Sequence, residues 1–267
     1  MSNPDSAVSS VDSTLAPALL SAHGLHKAFG GIHAVENVEI QVPQGRIVGL
    51  IGPNGAGKTT LFNLLCHFLP ADQGRIVFDG QSIESLSAHT IARQGMIRTF
   101  QVARVLSKLT VLDNMLLAAP HQTGEKLGNV WLRSRQIRRE ERQLRDKAQT
   151  ILECVGLSHM THTCAGALSG GQRKLLEMAR ALMADPKLIL LDEPAAGVNP
   201  TLINQICDHI IQWNRQGITF LIIEHNMDVI MSLCDRVWVL AEGRNLAVGT
   251  PTEIQSNPQV LEAYLGH

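Results

Sequence analysis

The sequence lacks long hydrophobic runs, paired cysteines and an excess of charge of either sign. Its longest apolar runs, such as residues 188–191 and 218–223, are far shorter than the roughly 18 residues that a membrane-spanning helix needs. We therefore expect no membrane span. The start of the chain has neither the basic nor the apolar region of a secretory signal, and we expect residues 1–18 to form a polar, disordered tail.

The five cysteines are scattered, without a C-x-x-C pair and without histidines at the spacing of a metal site. This usage predicts free thiols in a reducing compartment. The net charge of −1 gives no global electrostatic reason for binding nucleic acid or an anionic surface. We expect no nucleic-acid partner, and any contact of this kind would be local.

The order of apolar stretches indicates an α/β protein with a mainly parallel sheet. Short β-type stretches lie at residues 19–23, 38–42, 47–51, 188–192, 218–223 and 236–240. The last three are separated by helix-length segments, which favours parallel strands covered by helices. A helix is expected from Lys58 up to Pro70. Helical periodicity over residues 90–183 indicates an inserted helical subdomain, placed at about residues 95–183.

Residues 52–60, GPNGAGKTT, follow a predicted strand and precede a predicted helix, as a phosphate-binding loop requires. They match G-x-x-x-x-G-K-[ST] in full, and the candidate nucleotide-binding residues are Gly52, Pro53, Asn54, Gly55, Ala56, Gly57, Lys58, Thr59 and Thr60. Backbone N–H groups of such a loop surround a phosphate chain, aided by the helix dipole. Lys58 would reach the β and γ phosphates, and the Thr59 hydroxyl would bind Mg²⁺. The alternative is a glycine-rich turn without a ligand.

Residues 188–193, LILLDE, place two acids at the end of a predicted buried strand. Asp192 would hold Mg²⁺ through water, and Glu193 would polarise the water that attacks the γ phosphate. The alternative is a strand end with two solvated acids. The phosphate loop earlier in the chain favours the catalytic interpretation.

Residues 168–172, LSGGQ, open a predicted helix. Ser169 and Gln172 fit a capping box, so a well-capped helix start is the plain interpretation. Gly170 and Gly171 in the first turn, however, cost about 1 kcal/mol each relative to alanine. They make sense if a ligand must approach the N–H groups closely, and a phosphate is the obvious candidate.

GPNGAGKTT, LSGGQ and LILLDEP, in this order, resemble the motifs of the ATP-binding-cassette (ABC) ATPases. The resemblance extends from about residue 19 to the end of the chain. It implies a P-loop NTPase core with an N-terminal antiparallel β part and an inserted helical subdomain, together forming one ATP-binding domain over residues 19–267. It also implies a head-to-tail dimer with two ATP molecules between the subunits, in which the γ phosphate faces Ser169, Gly170, Gly171 and Gln172 of the opposite subunit.

The resemblance also assigns roles to three single residues. Phe29, in KAFGG, matches the aromatic that stacks on adenine, although such a residue is otherwise more often in the core. Gln101, in RTFQ, matches the glutamine that contacts Mg²⁺ and links the site to the helical subdomain. His225, in IIEH, matches the switch histidine that contacts the γ phosphate, although a lone histidine at a strand end is otherwise structural. Asn199 replaces the family's usual aspartate, which puts communication between subunits in question.

KAFGG, IRTFQ, LSGGQRKLLEMARALMADPKLILLDEPAAGVNP, IEHNMDVI and EAYLG look like the ATPase subunits of bacterial importers for branched-chain and other hydrophobic amino acids. This implies ATP hydrolysis with ATP and Mg²⁺, catalysed by Lys58, Gln101, Glu193 and His225. The implied partners are membrane permease subunits, a second identical or similar ATPase subunit and, indirectly, a periplasmic binding protein. The implied location is peripheral, on the cytoplasmic face of the inner membrane.

Other functions use the same motifs. The alternatives are a related importer of urea or short amides, the lipopolysaccharide exporter, a soluble non-transport ABC ATPase and a nucleotide-sensing module.

The charged segment 131–147 carries six arginines, one lysine and three acids. We interpret it as a solvated helix face rather than a lipid or nucleic-acid patch.

Overall fold

A computed structural model describes residues 17–99, 105–120, 122–125 and 133–265. The strands are β1 (Ala18–Phe29), β2 (Ile32–Pro43), β3 (Ile47–Ile51), β4 (Gln73–Phe78), β5 (Gln81–Ser82), β6 (Met96–Arg98), β7 (Leu188–Asp192), β8 (Thr219–Ile223), β9 (Arg236–Ala241) and β10 (Arg244–Gly249). The α-helices are α1 (Lys58–Leu65), α2 (Ala88–Arg93), α3 (Val111–Leu116), α4 (Ser134–Cys154), α5 (Gly170–Leu182), α6 (Pro200–Arg215), α7 (Met227–Leu233), α8 (Pro251–Gln255) and α9 (Pro258–Leu265).

These strands form two sheets. The first has the order β2-β1-β4-β5 and is antiparallel throughout. The second has the order β10-β9-β3-β8-β7-β6, and its strands are parallel except for β10, which pairs antiparallel with β9. The predicted fold class, a mainly parallel core sheet with an antiparallel N-terminal part, is confirmed.

The central strands of the parallel sheet separate two hydrophobic cores. In β3, Ile47 and Ile51 pack in one core, while Val48 and Leu50 pack in the other. All five residues of β3 are buried, as are all five of β7 and of β8. Side chains that alternate between two buried faces hold such strands on both sides. The loops that follow them therefore start from rigid positions.

Two expected helical regions differ in the structure. The helix α1 ends at Leu65 rather than just before Pro70, because the N–H of Cys66 already closes the last turn onto Phe62 and His67 adopts φ 53°. Residues 96–98, inside the region expected to be helical, form β6. Met96 is buried there and pairs with Leu188 of β7, so burial at the sheet edge overrides the helical pattern.

Residues 1–16 of the predicted tail lie outside the described residues. Ala18, which the prediction includes in the tail, is instead the first residue of β1, because it pairs with Pro43 of β2. The predicted free thiols are confirmed for all five cysteines. Within the described ranges, no helix is both long and apolar enough to cross a membrane.

Candidate nucleotide site

The loop between β3 and α1 requires glycine at two positions for reasons within this chain. Gly57 has φ 95°, and a Cβ atom there would overlap the carbonyl oxygen of Ala34. A Cβ atom on Gly52 would overlap the carbonyl oxygen of Leu240. The surrounding strands thus set the path of the loop, and Gly57, the N-cap residue of α1, brings no side chain to its N–H groups.

Lys58 lies across this loop. Its Nζ atom donates to the carbonyl oxygens of Gly52 and Pro53 at 2.8 and 2.9 Å. Burial lowers the pKa of Lys58, and the nearby charges of Glu193 and Asp192 act in the opposite direction. The lysine and the two acids predicted from separate motifs therefore belong to one site.

Asp192, at the end of β7, forms a buried ion pair that the sequence motifs do not reveal. Its Oδ2 atom accepts a bond from Arg98 Nη2 at 2.8 Å, and Arg98 Nη1 donates to Asn63 Oδ1 at 2.6 Å. The guanidinium also lies 5.6 Å from the ring centre of Phe62 in α1. Arg98 thus links the acid to the phosphate-loop helix. Its position three residues before Gln101 is the sequence signal that could have indicated it.

Glu193 and His225 are in direct contact. The Nε2 atom of His225 lies 2.9 Å from Oε1 of Glu193. The backbone of Glu193 has φ 49°, a left-handed conformation that is uncommon outside glycine, and its N–H donates to Ile223 at the end of β8. The structure therefore brings together the two residues for which sequence reasoning predicted catalytic roles at neighbouring strand ends.

Glu224, between Ile223 and His225, is a second functional candidate that sequence reasoning missed. It is only 3% exposed. Its Oε1 atom accepts a bond from the N–H of Ala195 at 2.7 Å, and Oε2 accepts from the N–H groups of His225 and Asn226 at 3.1 and 3.3 Å. An acid that directly precedes a candidate catalytic histidine was the available signal.

The LSGGQ segment forms the predicted capping box. The N–H of Gln172 donates to Ser169 Oγ at 3.2 Å, and Ser169 N–H donates to Gln172 Oε1 at 2.9 Å. A Cβ atom on Gly171 would overlap the side chain of Leu202, so this glycine has an internal packing reason. Among the described residues nothing lies within 4 Å of a Cβ atom built on Gly170. No contact among the described residues therefore requires glycine at position 170.

Phe29 ends β1 and is 47% exposed, with the Lys27 ammonium 5.7 Å from its ring centre. Such exposure contradicts the alternative that Phe29 belongs to the core, and it leaves a ring face available for stacking.

Asn199 is the N-cap of α6, and its Oδ1 atom accepts a bond from Leu202 N–H at 2.8 Å. Asparagine and aspartate cap helices about equally well, so the replacement preserves this local role. Gln101 lies outside the described residues.

The oxygen donors near the loop suit a cation that is shared with a phosphate. The exposed Thr59 side chain lies in the first turn of α1, which follows β3, and Asp192 ends β7, two strands away in the same sheet. No group of three or more His, Cys, Asp or Glu side chains could hold a metal ion anywhere in the described ranges. Mg²⁺ typically takes one or two protein oxygens together with substrate phosphates and water, so these donors fit it.

A phosphate loop after a central parallel strand, with acids at the end of another strand of the same sheet, defines a P-loop nucleoside triphosphatase. Residues 35–196 match the family described as ABC transporter, and residues 244–267 match the family described as branched-chain amino acid ATP-binding cassette transporter. The first match covers more than half of the chain. This protein therefore belongs to the ABC transporter family of ATPases.

Individual relatives agree with this assignment. The probable branched-chain amino acid transport ATP-binding protein LivG of Archaeoglobus fulgidus is 42% identical over 252 residues, which cover 93% of this chain and 95% of the relative. The high-affinity LivG protein of Escherichia coli K12 is 41% identical over 249 residues, which cover 93% of this chain and 98% of the relative. The corresponding BraF protein of Pseudomonas aeruginosa is 40% identical over 249 residues, with the same coverage.

Two solved structures have the same architecture. One is a nucleotide-free ATP-binding cassette from an ABC transporter, and the other is an ABC transporter cassette in its ADP conformation. Each has a TM-score of 0.80 and 39% identity, and covers 94% of this chain. The alignments cover 100% and 99% of those chains. The likeness thus includes both sheets and the helices between them.

Proposed function

We propose that this ATPase works as a nucleotide-sandwich dimer that powers import of branched-chain or other hydrophobic amino acids through separate membrane subunits. The hydrolysis part of the proposal rests on the 2.9 Å contact between Glu193 and His225, with the buried Lys58 close enough to feel the charge of Glu193. This is the arrangement that hydrolysis of a phosphate anhydride needs: a base for water, a histidine at the terminal phosphate and a cation on the phosphate chain. The transport part rests on the family match of residues 244–267.

In this proposal the residues 52–60 bind the phosphates of ATP, and Phe29 stacks on the adenine. Lys58 turns from the carbonyl oxygens of Gly52 and Pro53 to the β and γ phosphates. Glu193 accepts the proton of the attacking water, and His225 holds the γ phosphate. Thr59, Asp192 and Gln101 would hold Mg²⁺, which when bound neutralises charge on the phosphate oxygens.

The second wall of the site comes from LSGGQ of the opposite subunit, formed by Ser169, Gly170, Gly171 and Gln172. Gly170 supports this step, because nothing described within the chain explains its missing side chain. A phosphate can approach the first N–H groups of α5 closely only where no side chain intervenes. The second subunit is either another copy of this chain or a similar ATPase.

The membrane partners are permease subunits, and a periplasmic binding protein acts through them. Support comes from the match of residues 244–267 and from relatives named for branched-chain amino acid transport. The chain would then lie peripherally on the cytoplasmic face of the inner membrane. The amino acid would contact the permease and the binding protein rather than this subunit.

The test is the ATPase rate per subunit as a function of protein concentration for wild type and Ser169→Arg. We expect the wild-type rate to rise with concentration, and the variant rate to fall at least about tenfold while ATP still binds. Ser87→Arg is the matched control, because Ser87 also caps a helix through its side chain. It should retain the wild-type rate.

Adding the permease subunits in vesicles tests the transport part of the proposal. The wild-type rate should change when the permease and a substrate-loaded binding protein are present. A rate that is independent of concentration and unaffected by Ser169→Arg would mean a self-contained monomeric site. That result would favour a soluble ATPase instead.

A further inference from the structure

We infer that Glu224 is a positioning residue for ATP hydrolysis, because its buried carboxylate ties the turn after Glu193 to the turn that carries His225. The inference rests on the proposed function of this site. Glu224 itself need not contact the nucleotide. It would act through the two side chains that do.

The two turns begin where β7 and β8 stop pairing. The last pair in the ladder is Asp192 with Ile223, and the next bond runs from the N–H of Glu193 to the carbonyl oxygen of Ile223 at 3.0 Å. Beyond this point the two turns are linked by the contact of Glu193 with His225 and by a bond from Ala195 N–H to Glu224 Oε1 at 2.7 Å. The carboxylate thus continues the connection between the strands after the regular ladder has ended.

The other carboxylate oxygen holds the second turn. Oε2 accepts the N–H groups of His225 and Asn226, and the side chain of Asn226 in turn caps α7 through bonds to Asp228 and Val229. Across the described residues, no cation lies within ion-pair distance of this buried acid. Backbone N–H groups of both turns therefore hold this carboxylate directly, and the charge of the buried Lys174 acts on it only at longer range. Loss of either set would leave a buried acceptor oxygen without its donor.

This bridge explains how Glu193 keeps an unusual backbone conformation. A glutamate at φ 49° persists only where its surroundings hold it, and the bonds of its own N–H and of Ala195 N–H both lead to the end of β8. Without the bridge the turn can relax, and the 2.9 Å contact between Glu193 and His225 is lost. Misplacement of catalytic groups by about 1 Å can reduce turnover on the order of 100-fold.

The test compares Glu224→Gln with wild type. The amide retains one acceptor oxygen, which keeps more bonds when it faces the two N–H groups of His225 and Asn226. Its NH₂ group then faces the N–H of Ala195, so the link to Ala195 breaks. We expect kcat, normalised to titrated nucleotide sites, to fall at least about tenfold while KM for ATP stays within about twofold. Hydrogen exchange should accelerate at Ala195 but not in the central strands.

Glu253→Gln is the matched control, since Glu253 also accepts a backbone N–H, from Thr250 at 2.8 Å, in the cap of α8. Its kcat should equal that of wild type. If Glu224→Gln does not fold, Glu224→Asp replaces it and should show the same loss of kcat, because the shorter side chain cannot reach both turns.

An unchanged kcat in folded Glu224→Gln would overturn the inference, and so would failure of both variants to fold. A wild-type protein without ATPase activity would instead overturn the proposed function together with this inference. The two failures are thus distinguishable. A fall in kcat with accelerated exchange at Ala195 supports the positioning role.

Discussion

Two glycine-containing helix starts, the phosphate loop and LSGGQ, differ in what their glycines do. In the phosphate loop, Gly52 and Gly57 are required by the carbonyl oxygens of neighbouring strands. In LSGGQ, Gly171 makes room for Leu202, but no described atom outside the backbone of its own helix start lies within 4 Å of the Cβ position of Gly170. Contacts within the chain therefore explain the glycines of the phosphate loop, whereas the empty space at Gly170 leaves room for a ligand to approach the start of α5.

The two helices also differ in how their first N–H groups are capped. The first turn of α1 begins at Gly57, which provides no side-chain acceptor, whereas α5 begins with the complete capping box of Ser169 and Gln172. The first N–H groups of an uncapped helix are left to water or to an anion, whereas a capping box already satisfies part of them. An anion at the phosphate loop would therefore stabilise α1 more than an anion at LSGGQ would stabilise α5.

The largest effect is expected at Glu193, on the phosphate-loop side of the site. Glu193→Gln should lower turnover by about 1,000-fold, because the amide cannot accept a proton from water, and ATP should then hold the dimer together. Turnover and size-exclusion chromatography with ATP measure this. Glu242→Gln is the control, since Glu242 has φ 48° but is exposed in the turn after β9. Normal turnover in Glu193→Gln would remove Glu193 from its assigned role.

The next largest effect tests whether the contact of Gly57 with Ala34 contributes to the stability of the fold. Gly57→Ala should lower the free energy of unfolding by about 3 kcal/mol, through backbone strain and overlap with Ala34. Gly217→Ala is matched in backbone conformation, with φ 98°, but no described atom lies within 4 Å of its Cβ position. It should lose only about 1 kcal/mol in urea unfolding. Equal losses would show that the overlap with Ala34 is unimportant.

The comparison becomes sharper within LSGGQ itself. Gly170→Ala should raise the free energy of unfolding by up to about 1 kcal/mol, because alanine is the better helix former, yet reduce the ATPase rate of the dimer. Gly171→Ala should leave the free energy of unfolding unchanged or lower it by about 1 kcal/mol, since Leu202 must move. Urea unfolding and ATPase assays measure the two variants. A fully active Gly170→Ala would contradict a close approach at this position.

The smallest effect concerns two cysteines, one at the far end of α1 and one shortly before LSGGQ. Cys66 lies at the end of α1, where burial raises its pKa to about 12, so its thiol stays protonated at pH 8. Cys164 lies shortly before LSGGQ and is exposed. N-ethylmaleimide should label Cys164 within minutes but Cys66 only in denaturant, as peptide mass spectrometry can show. Rapid native labelling of Cys66 would indicate that α1 opens.

Some structural features could not be predicted because tertiary contacts override local patterns. Residues 96–98 have a helical neighbourhood in sequence but form β6, since pairing with β7 buries Met96. The sequence also gives no signal that α1 turns at Cys66 instead of continuing to Pro70. The contacts of Arg98 and Glu224 escaped prediction for a related reason: the positions beside Gln101 and His225 mark these two residues, but not the distant side chain or the backbone groups that they contact.

The sequence by itself determined the order of strands and helices around the phosphate loop, the capping box and the predicted site residues, because these depend on local spacing and residue chemistry. Only the tertiary structure decided that Glu193 meets His225, that Asp192 pairs with Arg98 and that Gly170 is open while Gly171 is not. Such contacts join residues from different strands and helices. Their geometry follows from how the two sheets and their helices pack, which no local pattern encodes.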